Sequence, residues 1–213
     1  MGLFDSIAKG FRDITGGVDQ ELLATGELGR GEIVGLSLSG TTVTVGNGLV
    51  ERNCTFQLNV ILDLQPPFQA SVNQRVQEIN LPQLQQPGVT VAVRVDPADH
   101  SRVAIDFATQ PPEVRLPETT GPGSAASILE TGKPIVVVLV ANQPIGVKNF
   151  KGDPVHALTL TVAEGVETPY QVQVGNAVPA SALPLLFPGS RLNAKLGDGP
   201  NEIVVDWAAG AAK

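Results

Sequence analysis

Along much of this chain, apolar side chains fall at every second position. In TFQLNVILDL (55–64), Phe56, Leu58, Val60, Leu62 and Leu64 line one face, the period-2 signature of a half-buried strand. VTVAVRV (89–95) repeats the pattern with Val89, Val91, Val93 and Val95. TTVTVGNGLVE (41–51) contains Asn47-Gly48, a dipeptide suited to the positive φ angles of a tight hairpin. LPQLQQPG (81–88) has Pro82 near its start and ends in Pro-Gly, which predicts a single helical turn between strands. A helical period shows only at the start. On a helix, Leu3, Phe4, Ile7, Ala8, Phe11 and Ile14 share one stripe opposite Asp5, Ser6, Lys9, Arg12 and Asp13.

The strand pattern occurs twice. At a constant offset of 102, Leu58, Val60, Pro67, Gln69, Val72, Val76, Leu81 and Pro82 meet Leu160, Val162, Pro169, Gln171, Val174, Val178, Leu183 and Pro184. RVAIDF (102–107) likewise meets EIVVDW (202–207). Upstream, Gly29, Gly31 and Gly40 meet Gly121, Gly123 and Gly132 at an offset of 92, which gives the second copy about ten extra residues between Lys133 and Val155. Five or six short strands per copy predict a small antiparallel barrel or sandwich. The expected fold is mainly β: two tandem duplicated antiparallel β-barrel or sandwich domains behind an N-terminal amphipathic helix. The expected boundaries are helix 1–16, linker 17–28, first domain 29–107, Pro-rich linker 108–120, second domain 121–207 and a frayed tail 208–213.

Pro66-Pro67-Phe68-Gln69, Leu81-Pro82, Pro87-Gly88 and VAVRVDP (91–97) together resemble a β-domain common in uncharacterised actinobacterial proteins. The resemblance covers 29–107 well and 121–207 more loosely, where LGD (196–198) replaces VDP. It implies the β fold and a bacterial cytoplasmic setting, and carries no activity. GLFDSIAKGFRDI (2–14) resembles short membrane-active amphibian peptides and the membrane-sensing first helix of bacterial membrane-stress proteins. These two likenesses concern physics rather than ancestry.

The totals narrow the classes. A net charge of −7 with few aromatics disfavours nucleic acid, which needs clustered cations or stacking surfaces. Cys54 is the sole cysteine, which excludes an intrachain disulfide and suggests a reducing compartment. The start lacks the basic tip and apolar run of a secretory signal. The longest apolar run, IVVVLVA (135–141), is far short of the roughly 20 residues a spanning helix needs. Asn53-Cys54-Thr55 matches a glycosylation sequon that has no use without export. The expected location is cytoplasmic, with the inner face of the plasma membrane as a peripheral station.

Chemistry is sparse. His100 and His156 are the only histidines, and His156 aligns with Cys54; equivalent strand positions favour two core or rim residues over a catalytic dyad. Asp96, Asp99 and His100 could hold a hard cation, but Asp-Pro reads better as the start of a turn that Asp99 caps. GELGRG (26–31) lacks phosphate-loop spacing and reads as a flexible approach to the first domain. Asp106 and Asp206 each close a strand, which suits an outward position or a turn start. No catalytic residue, metal site or cofactor is expected. The binding residues expected are Leu3, Phe4, Ile7, Phe11 and Ile14, which would meet a membrane surface, a protein partner or another copy of the chain. The motif MGLFDS also fits N-myristoylation at Gly2. The expected function is a non-enzymatic interaction or scaffold protein. The alternatives are a small-molecule or peptide module using the inter-domain cleft or a strand edge along 135–141, and lastly a hydrolase.

Overall fold

A computed structural model describes residues 19–44 and 50–212. The chain is mainly β and divides into two compact units, Met1–Val114 and Arg115–Lys213. The first contains α1 (Gln20–Thr25), β1 (Glu27–Thr44), β2 (Val50–Ile61), β3 (Phe68–Gln77), the 3-10 turn η1 (Glu78–Asn80), α2 (Leu81–Leu84), β4 (Thr90–Asp96) and β5 (Asp99–Asp106). Its antiparallel sheet has the order β3-β2-β1-β4-β5.

The second contains α3 (Ala125–Thr131), β7 (Lys133–Lys148), β8 (Pro154–Glu164), β9 (Tyr170–Ala177), η2 (Ala180–Leu185), β10 (Arg191–Leu196), β11 (Ile203–Val205) and η3 (Trp207–Ala209). Its order is β9-β8-β7-β10-β11, with β6 (Val114–Arg115) added on β7. Helix and strands therefore follow one another in the same sequence in both units.

The period-2 faces become two separate cores. Phe56, Leu58, Val60 and Leu62 of β2 are fully buried beside Val93 and Val95 of β4. Leu158, Leu160 and Val162 of β8 are fully buried beside Val137, Leu139 and Leu192. Both sheets curl until their edge strands approach, β3 toward β5 and β9 toward β11. Neither pair forms a backbone ladder.

The upstream alignment at offset 92 is overturned. Asp19 caps α1 by accepting from Leu22 N, and Ser124 caps α3 by accepting from Ser127 N. Each helix ends at a Thr-Gly step, Gly26 or Gly132, whose N–H donates to the carbonyl of Leu22 or Ile128. A Cβ on Gly26 or Gly132 would lie 2.6 or 2.4 Å from that same carbonyl oxygen, so no larger residue fits. Leu36 pairs with Phe56, and Asn142 with Leu158. Gly26 thus corresponds to Gly132, an offset of 106. The hairpin of the second unit is four residues shorter than that of the first, not ten longer.

Three boundary expectations change with it. The linker 17–28 contains α1 and the start of β1. GELGRG is not a flexible approach: from Glu27 it is strand, paired with Val95 through Val91 on β4. The tail 208–213 is not frayed through Ala212, whose N–H donates to Arg191 O, while Ala211 bridges Leu192. The expected helical turn in LPQLQQPG stands as α2. Thr44 pairs with Val50, which closes the expected hairpin, and Asn47-Gly48 lies outside the described residues.

Candidate functional site

The binding residues expected from sequence, Leu3, Phe4, Ile7, Phe11 and Ile14, lie outside the described residues. The other candidates can be placed. Asp96 Oδ1 accepts from Ala98 N, and Asp99 Oδ1 accepts from Ser101 N and Oγ, the turn arrangement expected of DPADH. His100 stacks on Phe68 with ring centroids 5.0 Å apart.

Asp106 starts a turn by accepting from Ala108 and Thr109 N, but it is buried rather than outward. Burial pushes its pKa up; hydrogen bonds from Thr109 and Ala108 and the Arg94 guanidinium outweigh this and hold it below the ordinary value. Asp206 likewise accepts from Ala209 N. Residues 135–141 are not an edge. They lie in β7, at the centre of its sheet, paired with β8 on one side and β10 on the other. Within the run only Ile135, Val137 and Leu139 are buried in the core, while Val136 and Val138 are half-buried and Val140 is exposed.

Cys54 and His156 belong to different units, each buried on the inward face of its second strand. Burial raises the Cys54 thiol pKa, which the nearby Arg52 only partly opposes. In the second unit the surroundings are polar. His156 Nδ1 lies 3.3 Å from Asn142 Oδ1, and Asn142 Nδ2 donates to Leu186 O at 3.1 Å. Because the amide already donates, its oxygen is the acceptor toward the ring, so Nδ1 carries the proton. The corresponding pair in the first unit is Leu36 and Cys54.

One polar pair was missed in the sequence. Gln74 Nε2 donates to Ile105 O at 2.9 Å, and its Oε1 accepts from Ile105 N at 3.0 Å. Asn176, at offset 102, donates to Ile203 O at 3.1 Å and accepts from Val205 N at 2.9 Å. Each carboxamide joins the two edge strands that no ladder joins. Trp207 Nε1 adds a bond to Ala177 O at 2.8 Å in the second unit. The signal was available: a lone amide between valines on one strand face, Val72-Gln74-Val76 and Val174-Asn176-Val178, in both copies.

The units differ at the corner beside their first helix. In the first, Arg102 bridges Asp19 and Asp96. In the second, Glu202 takes the place of Arg102 and folds back to accept from Asp198 and Gly199 N. A cleft of about 280 Å³ opens there, lined by Ser127, Ile128, Thr131, Lys133, Asp198 and Glu202 among others.

The two most exposed large apolar side chains among the described residues are Ile79, 76% exposed, and Phe187, 66% exposed. They lie on the same crossover of each unit, from the third strand of the sheet to the fourth. Among the described residues, no helix is long and apolar enough to cross a membrane, and no three His, Cys, Asp or Glu side chains gather as a metal site. No family model matches this sequence, and no curated protein is significantly similar to it.

Proposed function

We propose that this chain is a non-catalytic interaction or scaffold protein, with its first residues docking it to a membrane surface or a partner subunit. The observation that carries this reading is the placement of Ile79 and Phe187 on equivalent crossovers. Fully burying one such side chain is favourable by about 1.5–3 kcal/mol, and folding leaves that energy uncollected on this crossover in both units, at its start in the first and at its end in the second. Asp96 and Asp99, weighed above for a cation site, hold a turn, and Asp106 and Asp206 each hold one as well, which supports this reading. We infer that the two units are duplicated small barrels and that the amphipathic segment 1–16 was added to them. The setting that suits this reading is the cytoplasm, at the inner face of a membrane.

A second reading, a small-molecule or peptide module, is favoured by the cleft beside α3, where the second unit has lost the ion bridge that fills this corner in the first. Its mixed Lys133, Asp198 and Glu202 lining suits a small polar ligand.

Liposome flotation and light scattering of the full chain, a variant lacking residues 1–16, and Ile79→Ser/Phe187→Ser separate the possibilities. Loss of flotation or of oligomer mass in either variant supports the interaction reading. Identical behaviour of all three rejects it.

A further inference from the structure

The two seams share one design but not one chemistry. In each unit a buried carboxamide stands where a backbone ladder would close the sheet. The residue directly opposite that amide on the neighbouring strand is Cys54 in the first unit and His156 in the second. Residues opposed in this way have Cβ atoms about 4.5–5.5 Å apart on one face, and all four side chains are buried. We propose that His156 makes the second seam a pH-sensitive latch: protonating the imidazole loosens Asn176 and releases the short strand β11, while the first unit stays closed.

The physical reasons are local. β11 spans only Ile203–Val205 and has three ladder partners on β10. Across the seam, Asn176 and the Trp207 indole supply bonds to the β11 segment, and Tyr170 Oη of β9 donates to Pro200 O just ahead of it. The neutral imidazole donates from Nδ1 to Asn142, so protonation adds its hydrogen at Nε2. The groups facing the ring are Asn142 from β7 and Asn176 from β9, both uncharged, and Asn142 is itself held by Leu186 O. Among the described residues no carboxylate offsets the new charge: burial is the one cause acting on His156, and it lowers the pKa. A buried cation without a partner draws in water or a new acceptor, and the Asn176 amide that holds β11 stands directly opposite His156 on the neighbouring strand.

The sister unit supplies the control and the conservative variant. Asp106 beside the Gln74–Ile105 contact has its pKa held below the ordinary carboxylate value, so it adds no charge change there as pH falls from neutral to 5; His100 of β5, which stacks on Phe68 of β3 across the same seam, is removed by comparing the units in a His100→Phe background. Native-state amide exchange on the full chain, expressed as protection factors, tests the proposal at Val205 and Ile105. Acrylamide quenching of Trp207, the sole tryptophan, gives a second readout.

Between pH 7.5 and 5, protection of Val205 falls and Trp207 becomes more accessible, whereas Ile105 and the β7–β8 ladder hold. His156→Cys abolishes the change. Asn176→Ala lowers Val205 protection at pH 7.5 on the order of tenfold or more and removes most of the further loss at pH 5. Equal loss at Val205 and Ile105, a flat Val205 profile, or pH dependence that survives His156→Cys each overturns the proposal. Should Asn176→Ala fail to fold, the wild-type and His156→Cys profiles decide it alone.

Discussion

Replacing Gln74 by alanine tests whether a single side chain closes the first unit. Gln74 is 4% exposed and Ile105 1% exposed, and the carboxamide meets both polar backbone groups of Ile105 at 2.9 and 3.0 Å. Truncation deletes two hydrogen bonds worth about 1 kcal/mol each and strands a buried N–H and C=O, for which the cost is about 1–3 kcal/mol per group when water stays out. Truncation to alanine leaves room for water to meet part of that demand, so a loss of about 2–4 kcal/mol is expected. Gln74→Leu restores the volume but not the bonds, and should recover only the packing part.

Gln74→Asn is the sharper variant. In the second unit an asparagine reaches Val205 N and Ile203 O, two residues apart on the strand. An asparagine at 74 can reach Ile105 N and Val103 O by the same geometry, so its cost should stay below about 1 kcal/mol. Urea titration gives the stabilities, and exchange of the Ile105 amide localises the effect. A Gln74→Ala loss below about 0.5 kcal/mol, or a Gln74→Asn loss equal to it, would refute the amide account.

Three further outcomes follow from the same coordinates. Asp106 has a folded pKa below its unfolded value, so its stabilising contribution is present above the unfolded pKa and lost as pH falls through the folded one. Asp106→Asn should therefore flatten the acid limb of a stability–pH profile, and an unchanged limb would contradict this. Gly165 has φ +86° and a Cβ there would sit 2.7 Å from Pro134 O, whereas Gly152 has φ +92° and open space. Gly165→Ala should cost above about 2 kcal/mol and Gly152→Ala about 1 kcal/mol in thermal unfolding; equal costs would refute the clash. The Arg102 side chain is 39% exposed in its bridge to Asp19 and Asp96. Arg102→Ala should therefore cost less than about 1 kcal/mol, and the cost should shrink in about 1 M salt; a salt-independent loss would point to packing instead.

Strands and cores were legible because burial on one sheet face imposes period 2 directly on the residues. Phe56 through Leu62 and Leu158 through Val162 are fully buried at every second position. The first strands were misaligned because glycines were matched by identity, while glycine answers to backbone demands that differ from place to place. Gly29 and Gly31 lie in β1, where a Cβ would come within 2.6 Å of Leu62 and 2.8 Å of Val93. Gly121 and Gly123 occupy a turn at φ +91° and +78° with nothing near them. Their true counterparts show why identity failed. Gly29 pairs with Val93, and in the second unit Ile135 pairs with Ala194. The large and small partners have exchanged strands, which preserves core volume while erasing sequence similarity. The amide latches were overlooked for the opposite reason: a polar residue on an apolar face looks like noise until its partner strand is known.

The differences between the units bear on function more than the similarities do, because a duplicated core needs only to be packed. Ladder order, capped helix, crossover and amide latch recur in both. What changes is polar. Leu36 and Cys54 give way to Asn142 and His156, and the Asp19–Arg102–Asp96 bridge gives way to an open cleft beside Glu202. Both changes replace a closed contact of the first unit with a titratable or accessible one in the second. Buried polar pairs are costly to keep where an apolar pair fits the same fold, and the first unit demonstrates that an apolar pair fits. On the proposed reading, ligand response and conformational change therefore belong to the second unit.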